Sequence, residues 1–154
     1  MSTKKHKFTL KDKFYMEIAL DLARSRHGLT GPNPSVGCVI VKNDKIISIG
    51  QTSFNGRPHA EFNAIKNCFE DLKDSKMYVT LEPCCHHGKT PPCVDKIVAN
   101  GIKKVVIGIK DPNPLVCGKG IEKLKENGVE VISGVLKNEC IEHHKRFLSY
   151  IINK

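Results

Sequence analysis

Short β-branched segments alternate with segments of helical periodicity, and this alternation constrains the fold more than any other feature of the chain. Residues 36–41 and 45–50 are β-branched runs on either side of Asn43-Asp44, which predicts a β-hairpin. Further strand-like runs are separated by helical segments: 77–81, 105–109 and 129–132. The order predicts an α/β fold with three layers, α/β/α, around a mixed sheet of about five strands covered on both faces.

The helical segments share apolar residues at spacings of three or four, or carry proline and glycine at their ends. Five are predicted: 9–28, 59–72, 91–98, 121–126 and 136–148. The first begins with Thr9 and Asp12, a pair typical of a capping box. We therefore expect a polar N-terminal tail over 1–9 and a single domain over 10–154.

The net charge of +9 raises the question of nucleic-acid binding. The excess comes from 21 lysines and only four arginines, and no basic run alternates with aromatic residues. Because base and phosphate recognition relies heavily on arginine, we expect no nucleic-acid partner, whereas a phosphorylated small molecule suits the charge. No apolar stretch is long enough for a membrane span or a signal core, which predicts a cytoplasmic protein without membrane contact.

Seven cysteines without an export signal argue against a disulfide framework. Cys84, Cys85 and Cys93 lie close together in the sequence, as metal-binding or reactive cysteines do. The other four are scattered and are expected to be ordinary small buried residues: Cys38, Cys68, Cys117 and Cys140.

Two segments carry the chemistry: Pro58-His59-Ala60-Glu61, and the stretch from Glu82 to Cys93. One histidine and two thiolates suit Zn²⁺, and three protein ligands leave a fourth position open for water. Zinc lowers the pKa of such water to about 7 and so supplies hydroxide for attack on an amine-bearing carbon. Glu61, two residues after His59, is placed to move protons between the water, the ring nitrogen and the leaving amine.

His-x-Glu followed by Pro-Cys-x-x-Cys is the signature of zinc deaminases. His59 and Glu61 match its first half. The second half differs, because eight residues separate Cys84 from Cys93 where the signature has two. From the residues alone, the match is therefore partial.

The spacing of eight residues between Cys84 and Cys93 is also found in a known family. The segment from Pro83 to Cys93 resembles the Pro-Cys-Ser-His-x-Gly-Lys-Thr-Pro-Pro-Cys run of the deaminase domain in bifunctional riboflavin-biosynthesis proteins, with Cys85 in place of serine. The resemblance extends over nearly the whole chain. It includes Asn33-Pro34 with Val36-Gly37, the His59-Ala60-Glu61 triplet, Tyr78 to Cys84, and Asp111-Pro112-Asn113-Pro114.

The resemblance implies a cytidine-deaminase-like fold with one Zn²⁺ per chain, held by His59, Cys84 and Cys93. It also implies hydrolytic deamination of 2,5-diamino-6-(5-phosphoribosylamino)pyrimidin-4-one to 5-amino-6-(5-phosphoribosylamino)uracil and ammonia. Zinc-bound hydroxide would attack, and Glu61 would act as the proton shuttle. Four further positions match those that the family uses around the substrate: Asn33, Lys89, Asp111 and Asn113.

The chain departs from the family at two places. Thr52 stands where several members have a histidine near the substrate, so that contact is expected to be absent or weaker. No Gly-x-Gly-x-x-Gly loop or reductase segment follows the deaminase region, which predicts a separate reductase that uses the product. The resemblance also suggests a homo-oligomer.

Several alternatives remain open from the sequence. A closed structural zinc site would take Cys85, His86 or His87 as its fourth ligand. Another deaminase of the same clan, acting on a nucleoside, nucleotide or tRNA base, and a non-catalytic zinc-binding module are the competing functions. For the four candidate substrate residues, the alternative is an ordinary role in a turn or a solvated loop without substrate contact. His143 and His144 are expected at the surface or an interface.

Overall fold

The computed structural model of the protein describes residues 8–85, 91–113 and 117–152. Six α-helices, five strands and one short 3-10 helix (Phe54–Gly56) lie along these ranges. The helices are α1 (Leu10–Ser25), α2 (Ala60–Lys66), α3 (Cys93–Ala99), α4 (Lys119–Glu126), α5 (Lys137–His143) and α6 (Lys145–Ile152). The strands are β1 (Gly37–Lys42), β2 (Lys45–Gln51), β3 (Lys76–Leu81), β4 (Lys104–Ile109) and β5 (Glu130–Ser133).

The five strands form one mixed sheet in the order β2-β1-β3-β4-β5. β1 is antiparallel to both β2 and β3, whereas β3, β4 and β5 are parallel to one another. The predicted hairpin is present, and Asn43 and Asp44 both have positive φ, 53° and 61°, as a two-residue turn between twisted strands requires. The parallel strands are connected through α3 and α4, so their carboxyl ends all lie at one edge of the sheet.

Apolar side chains cover both faces of the sheet, which confirms the predicted three-layer α/β fold. On one face, Tyr15 and Met16 of α1 pack against Val39, Tyr78 and Val106 of the central strands. On the other face, α2, α3 and α4 pack over the alternate residues of the same strands. The capping box of α1 is also present, because Thr9 accepts the amide of Asp12 and Asp12 accepts the amide of Thr9.

A glycine on β2 lets α2 lie very close to the sheet. A Cβ atom at Gly50 would come within 2.4 Å of the Ala60 carbonyl oxygen and 2.5 Å of the Ala64 amide nitrogen. Only a residue without a side chain therefore allows this approach. The contact fixes the start of α2, where His59 and Glu61 are found.

The predicted helix over 59–72 is wrong in its second half. α2 ends at Lys66, and Asn67 forms the C-cap with its amide bonded to the carbonyls of Asn63 and Ile65. The following residues form turns, and Phe69, which helical periodicity would place in the core, is fully exposed. The apolar residues of this stretch therefore predicted a continued helix, but the chain leaves the helix after Lys66.

The predicted C-terminal helix is two helices, α5 and α6, which meet at His144. The expectation that His143 and His144 lie at the surface is wrong for His144, which is 2% exposed and has Nε2 3.1 Å from Thr80 Oγ1 on β3. His143 is half-buried, with Nε2 2.9 Å from the Ser35 carbonyl oxygen. Both rings thus face the body of the domain.

Cys38 and Cys140 are buried, as predicted, whereas Cys68 is half-buried and Cys117 is exposed. The prediction of a buried role is therefore wrong for Cys117. No helix within the described residues has both the length and the apolar character needed to cross a membrane.

Candidate metal centre and active site

Two helix starts and one strand end bring together the residues predicted to bind metal. His59 is the N-cap of α2, but its side chain makes no capping hydrogen bond. Cys93 is the first residue of α3, directly after Pro92, which has no side chain able to cap the helix. Cys84 lies three residues beyond the end of β3. Three separate segments therefore each offer one donor at the same place.

The donor atoms have the spacing of a tetrahedral zinc site. His59 Nδ1 lies 3.8 Å from Cys84 Sγ and 3.6 Å from Cys93 Sγ, and all three atoms lie within 4.8 Å of one another. A tetrahedral ion with Zn–S of about 2.3 Å and Zn–N of about 2.0 Å holds nitrogen and sulfur about 3.6 Å apart. The three residues therefore fit Zn²⁺, and they are the only group of three or more potential ligands found among the described residues.

The cluster already favours a thiolate at Cys84. Its pKa is lowered to about 4, first by the hydrogen bond from the Cys93 side chain, and further by His59 and the backbone amide of Cys93. That amide, an otherwise unpaired donor of the first helical turn, lies 3.2 Å from Cys84 Sγ. The hydrogen bond with the Cys84 side chain and burial in turn raise the pKa of Cys93.

Glu61 is the second residue of α2 and lies in its first turn. Its side chain is 4% exposed, and burial is the main reason why its pKa is raised to about 7. The charge of His59 opposes this rise, as would that of a bound dication. The Glu61 side chain is hydrogen-bonded to that of Cys93, so a buried carboxyl group lies at the cluster and is a candidate for accepting and donating protons.

The candidate substrate residues of the described ranges lie in two loops, one before β1 and one after β4. Asn33 lies in the loop before β1, and its Nδ2 donates to the carbonyl oxygen of Gly56, three residues before His59. Asp111 and Asn113 follow β4 and are half-buried, and the Asp111 carboxylate accepts the Asn113 amide at 2.9 Å. Lys89 lies outside the described residues.

Thr52 has a structural role in this chain. It is 1% exposed, and its Oγ1 accepts the Val36 amide at 2.9 Å and donates to the Pro34 carbonyl oxygen at 3.3 Å. Its hydroxyl is therefore used to hold the loop that carries Asn33. Cys85 is half-buried and packs against the core, while His86 and His87 lie outside the described residues.

Sequence reasoning missed Glu82, which is buried beside the cluster. Its carboxylate accepts hydrogen bonds from four backbone amides, and one of these belongs to Asp111. The available signal was a charged residue directly after a buried strand and two residues before Cys84. Such a position is unfavourable for a carboxylate unless its oxygens find donors.

A mixed five-stranded sheet with one histidine, two cysteines and a buried glutamate, brought together by two helix starts and one strand end, defines the class of zinc-dependent deaminases. The family model of the cytidine and deoxycytidylate deaminase zinc-binding region matches residues 9–109. It covers the three donors of the cluster and Glu61. The cofactor of this site is thus Zn²⁺, in agreement with the spacing of the donors.

Curated relatives narrow the family further. The diaminohydroxyphosphoribosylamino-pyrimidine deaminase of Buchnera aphidicola subsp. Schizaphis graminum is 47% identical over 138 residues, covering 90% of this chain and 94% of that protein. The riboflavin biosynthesis protein RibD of Actinobacillus pleuropneumoniae is 53% identical over 146 residues, which is 95% of this chain but 39% of the relative. The chain therefore belongs to the cytidine and deoxycytidylate deaminase family, in its diaminohydroxyphosphoribosylaminopyrimidine deaminase branch.

Solved structures agree with this assignment. The diaminohydroxyphosphoribosylaminopyrimidine deaminase/5-amino-6-(5-phosphoribosylamino)uracil reductase of Thermotoga maritima superposes with a TM-score of 0.89 at 46% identity. The match covers 93% of this chain and 42% of that chain. The dCMP deaminase of cyanophage S-TIM5 is more distant, with a TM-score of 0.62 at 26% identity. The cytidine-deaminase-like fold is thereby confirmed.

Proposed function

We propose that this chain removes the exocyclic amine at ring carbon 2 of 2,5-diamino-6-(5-phosphoribosylamino)pyrimidin-4-one by hydrolysis. The products are 5-amino-6-(5-phosphoribosylamino)uracil and ammonia. The main support is that the buried Glu61 side chain is hydrogen-bonded to Cys93 of the His59, Cys84 and Cys93 cluster, since a purely structural zinc site has no need of a buried carboxyl group beside it. The names of the relatives supply the substrate.

The metal ligands and the proton shuttle have separate roles in this proposal. Bound Zn²⁺ supplies Lewis-acid chemistry that makes water acidic enough to attack at neutral pH. His59, Cys84 and Cys93 hold the ion from rigid segments. Glu61 takes one proton from the attacking water and delivers it to the ring nitrogen next to the attacked carbon. The C–O bond forms while the C=N bond becomes single.

Glu61 acts a second time when the amine leaves. It takes the remaining proton of the new hydroxyl group and passes it to the exocyclic nitrogen, which departs as ammonia while the C–N bond breaks and C=O forms. One water is consumed and one ammonia released, so Glu61 ends in its starting state. A carboxyl group suits this task because it accepts a proton in one half of the reaction and donates it in the other.

Substrate orientation is proposed to come from Asn33 in the loop before β1 and from Asp111 and Asn113 after β4, with Lys89 pairing with the ribose phosphate. We also propose that the product is the substrate of a 5-amino-6-(5-phosphoribosylamino)uracil reductase, because the Thermotoga maritima relative combines the two activities in its name. A homo-oligomer is proposed on the grounds of family resemblance, and a cytoplasmic location stays a prediction from the sequence.

The test is ammonia release by zinc-loaded protein from the diaminopyrimidinone ribose phosphate, with cytidine, deoxycytidylate and guanine in parallel. We expect turnover of the first compound alone. Glu61→Ala should bind about one zinc per chain and fold normally, yet lose at least about 10²-fold in kcat, which is the scale of general acid–base catalysis. Glu70→Gln, a change at an exposed carboxylate beyond α2, is the matched control and should keep wild-type activity.

The outcomes separate the competing functions. Ammonia from a different base would keep the mechanism and replace the substrate. Full zinc occupancy with no ammonia from any compound would favour a non-catalytic zinc-binding module. Undiminished turnover by Glu61→Ala would show that another group moves the protons.

A further inference from the structure

The carboxylate of Glu82 is buried, and within the described residues its hydrogen bonds come from four backbone amides. It directly follows β3 and is 6% exposed. Oε1 accepts the amides of Asp111 at 2.9 Å and Gly118 at 3.0 Å. Oε2 accepts the amides of Gly120 at 2.9 Å and Ile121 at 3.2 Å. Charge-assisted bonds of this kind are the strong ones, and together they offset the cost of burying the charge.

The four amides belong to both ends of one connection. Asp111 is the second residue after β4, and Gly118 is the N-cap of α4. Gly118 has no side chain to cap α4. Glu82, from the segment after β3, accepts the amides that an N-cap side chain would otherwise accept. The helix dipole further favours a negative charge at this position.

The close approach of α4 to this carboxylate depends on a glycine. A Cβ atom at Gly120 would lie 2.3 Å from the Pro83 carbonyl oxygen and 3.2 Å from Glu82 Oε2. The backbone of α4 therefore packs directly against the residues that lead to Cys84. This contact is independent of the hydrogen bonds and indicates the same joint between the two segments.

Glu82 is thereby attached to both halves of the site. Cys84, a candidate zinc ligand, is two residues further along the chain. Asp111 is bonded to Glu82 through its amide, and its own carboxylate accepts the amide of Asn113. The bond from the Asp111 amide to Glu82 thus connects the Asp111–Asn113 pair to the residue two positions before Cys84.

We propose that Glu82 is a positioning residue that holds the substrate-binding segment Asp111–Asn113 in register with the zinc centre. This inference depends on the proposed function, in which that segment contacts the substrate. Glu82 itself acts through the backbone and does not touch the reacting atoms. Its loss should therefore affect substrate binding more than metal binding.

Glu82→Gln is the direct test. The amide keeps the shape of the side chain, but its NH₂ group faces two backbone donors that then lose their acceptor. In zinc-loaded protein we expect KM for the diaminopyrimidinone ribose phosphate to rise at least about tenfold, with kcat reduced less than about threefold and zinc content unchanged. Glu122→Gln, on the exposed side of α4, is the matched control and should leave all three quantities at the wild-type level.

A double-mutant cycle with Asn113→Ala separates positioning from general loss of stability. If Glu82 acts through this segment, Asn113→Ala should raise KM clearly less in the Glu82→Gln background than in the wild type. Additive effects, or an unchanged KM in Glu82→Gln, would overturn the proposal. If Glu82→Gln does not accumulate as folded protein, Glu82→Asp, which keeps the charge but is shorter, takes its place in the same cycle under the same criteria.

The wild-type enzyme distinguishes the two failures. Lack of turnover of this substrate by the wild type contradicts the proposed function. Wild-type turnover together with an additive cycle contradicts only the role of Glu82.

Discussion

The buried His144 provides a pH-dependent test of how α5 and α6 pack against the sheet. Its ring is 2% exposed beside Thr80 of β3. Burial is the main reason why the pKa of His144 is lowered from 6.5 to about 3, and the nearby His143 and His27 lower it further. The folded protein therefore holds this ring neutral at pH values where the unfolded chain protonates it.

The magnitude follows from linkage between protonation and unfolding. Because the folded pKa lies below the unfolded one, the unfolded chain takes up the proton first as the pH falls. The contribution of His144 to stability is complete above the unfolded pKa of 6.5 and is lost as the pH falls towards the folded pKa of about 3. Lowering the pH from about 7.5 to about 5 spans about 1.5 units of this window, which corresponds to about 2 kcal/mol.

Chemical denaturation of the wild type and of His144→Gln at both pH values measures this contribution. Glutamine places an amide near the position of Nε2, where it can still bond to Thr80 Oγ1, but it cannot take up a proton. We expect the free energy of unfolding of the wild type to fall by about 2 kcal/mol more than that of the variant. A difference below about 0.5 kcal/mol would mean that the ring is protonated within the folded protein and would refute its buried, neutral placement.

Two further substitutions test the metal centre and its support. Cys84→Ser should lower zinc affinity by at least about 100-fold, measured by competition with a chelator. Cys85→Ser should retain about one zinc per chain, and loss of zinc in that variant would indicate the closed structural site. Gly50→Ala should lower the free energy of unfolding by about 1–3 kcal/mol or more in thermal or chemical denaturation, because its Cβ would meet the backbone of Ala60 and Ala64. A variant as stable as the wild type would contradict this close packing of α2 on β2.

Features encoded by local chemistry were predictable from the sequence. Asn43-Asp44 between β-branched runs predicted the hairpin, since both residues tolerate the positive φ that the turn requires. The capping box of α1 follows from Thr9 and Asp12 in the same way. The order of strands and helices then led to the α/β fold, because these local elements agree with one another along the chain.

Features that depend on distant partners were not predictable in this way. His144 looks like a surface residue in a helical segment until β3 provides Thr80, whose Oγ1 lies 3.1 Å from the ring nitrogen Nε2. Glu82 looks like an isolated charge after a strand until the backbone of α4 arrives to satisfy it. In α2, apolar residues continued beyond Asn67, but turn geometry ended the helix there.

The unusual spacing between Cys84 and Cys93 shows why a sequence interval alone is a weak guide to a metal site. Both sulfurs are fixed by the ends of regular elements, since the Cys93 amide lies 3.2 Å from Cys84 Sγ and the Val94 amide donates to the Cys84 carbonyl oxygen at 3.1 Å. Extending the connection from four residues, as in Cys-x-x-Cys, to ten adds only about 0.8 kcal/mol of loop-closure entropy. The strand end and the helix start determine the donor geometry, so a longer connection between Cys84 and Cys93 is compatible with the same metal site.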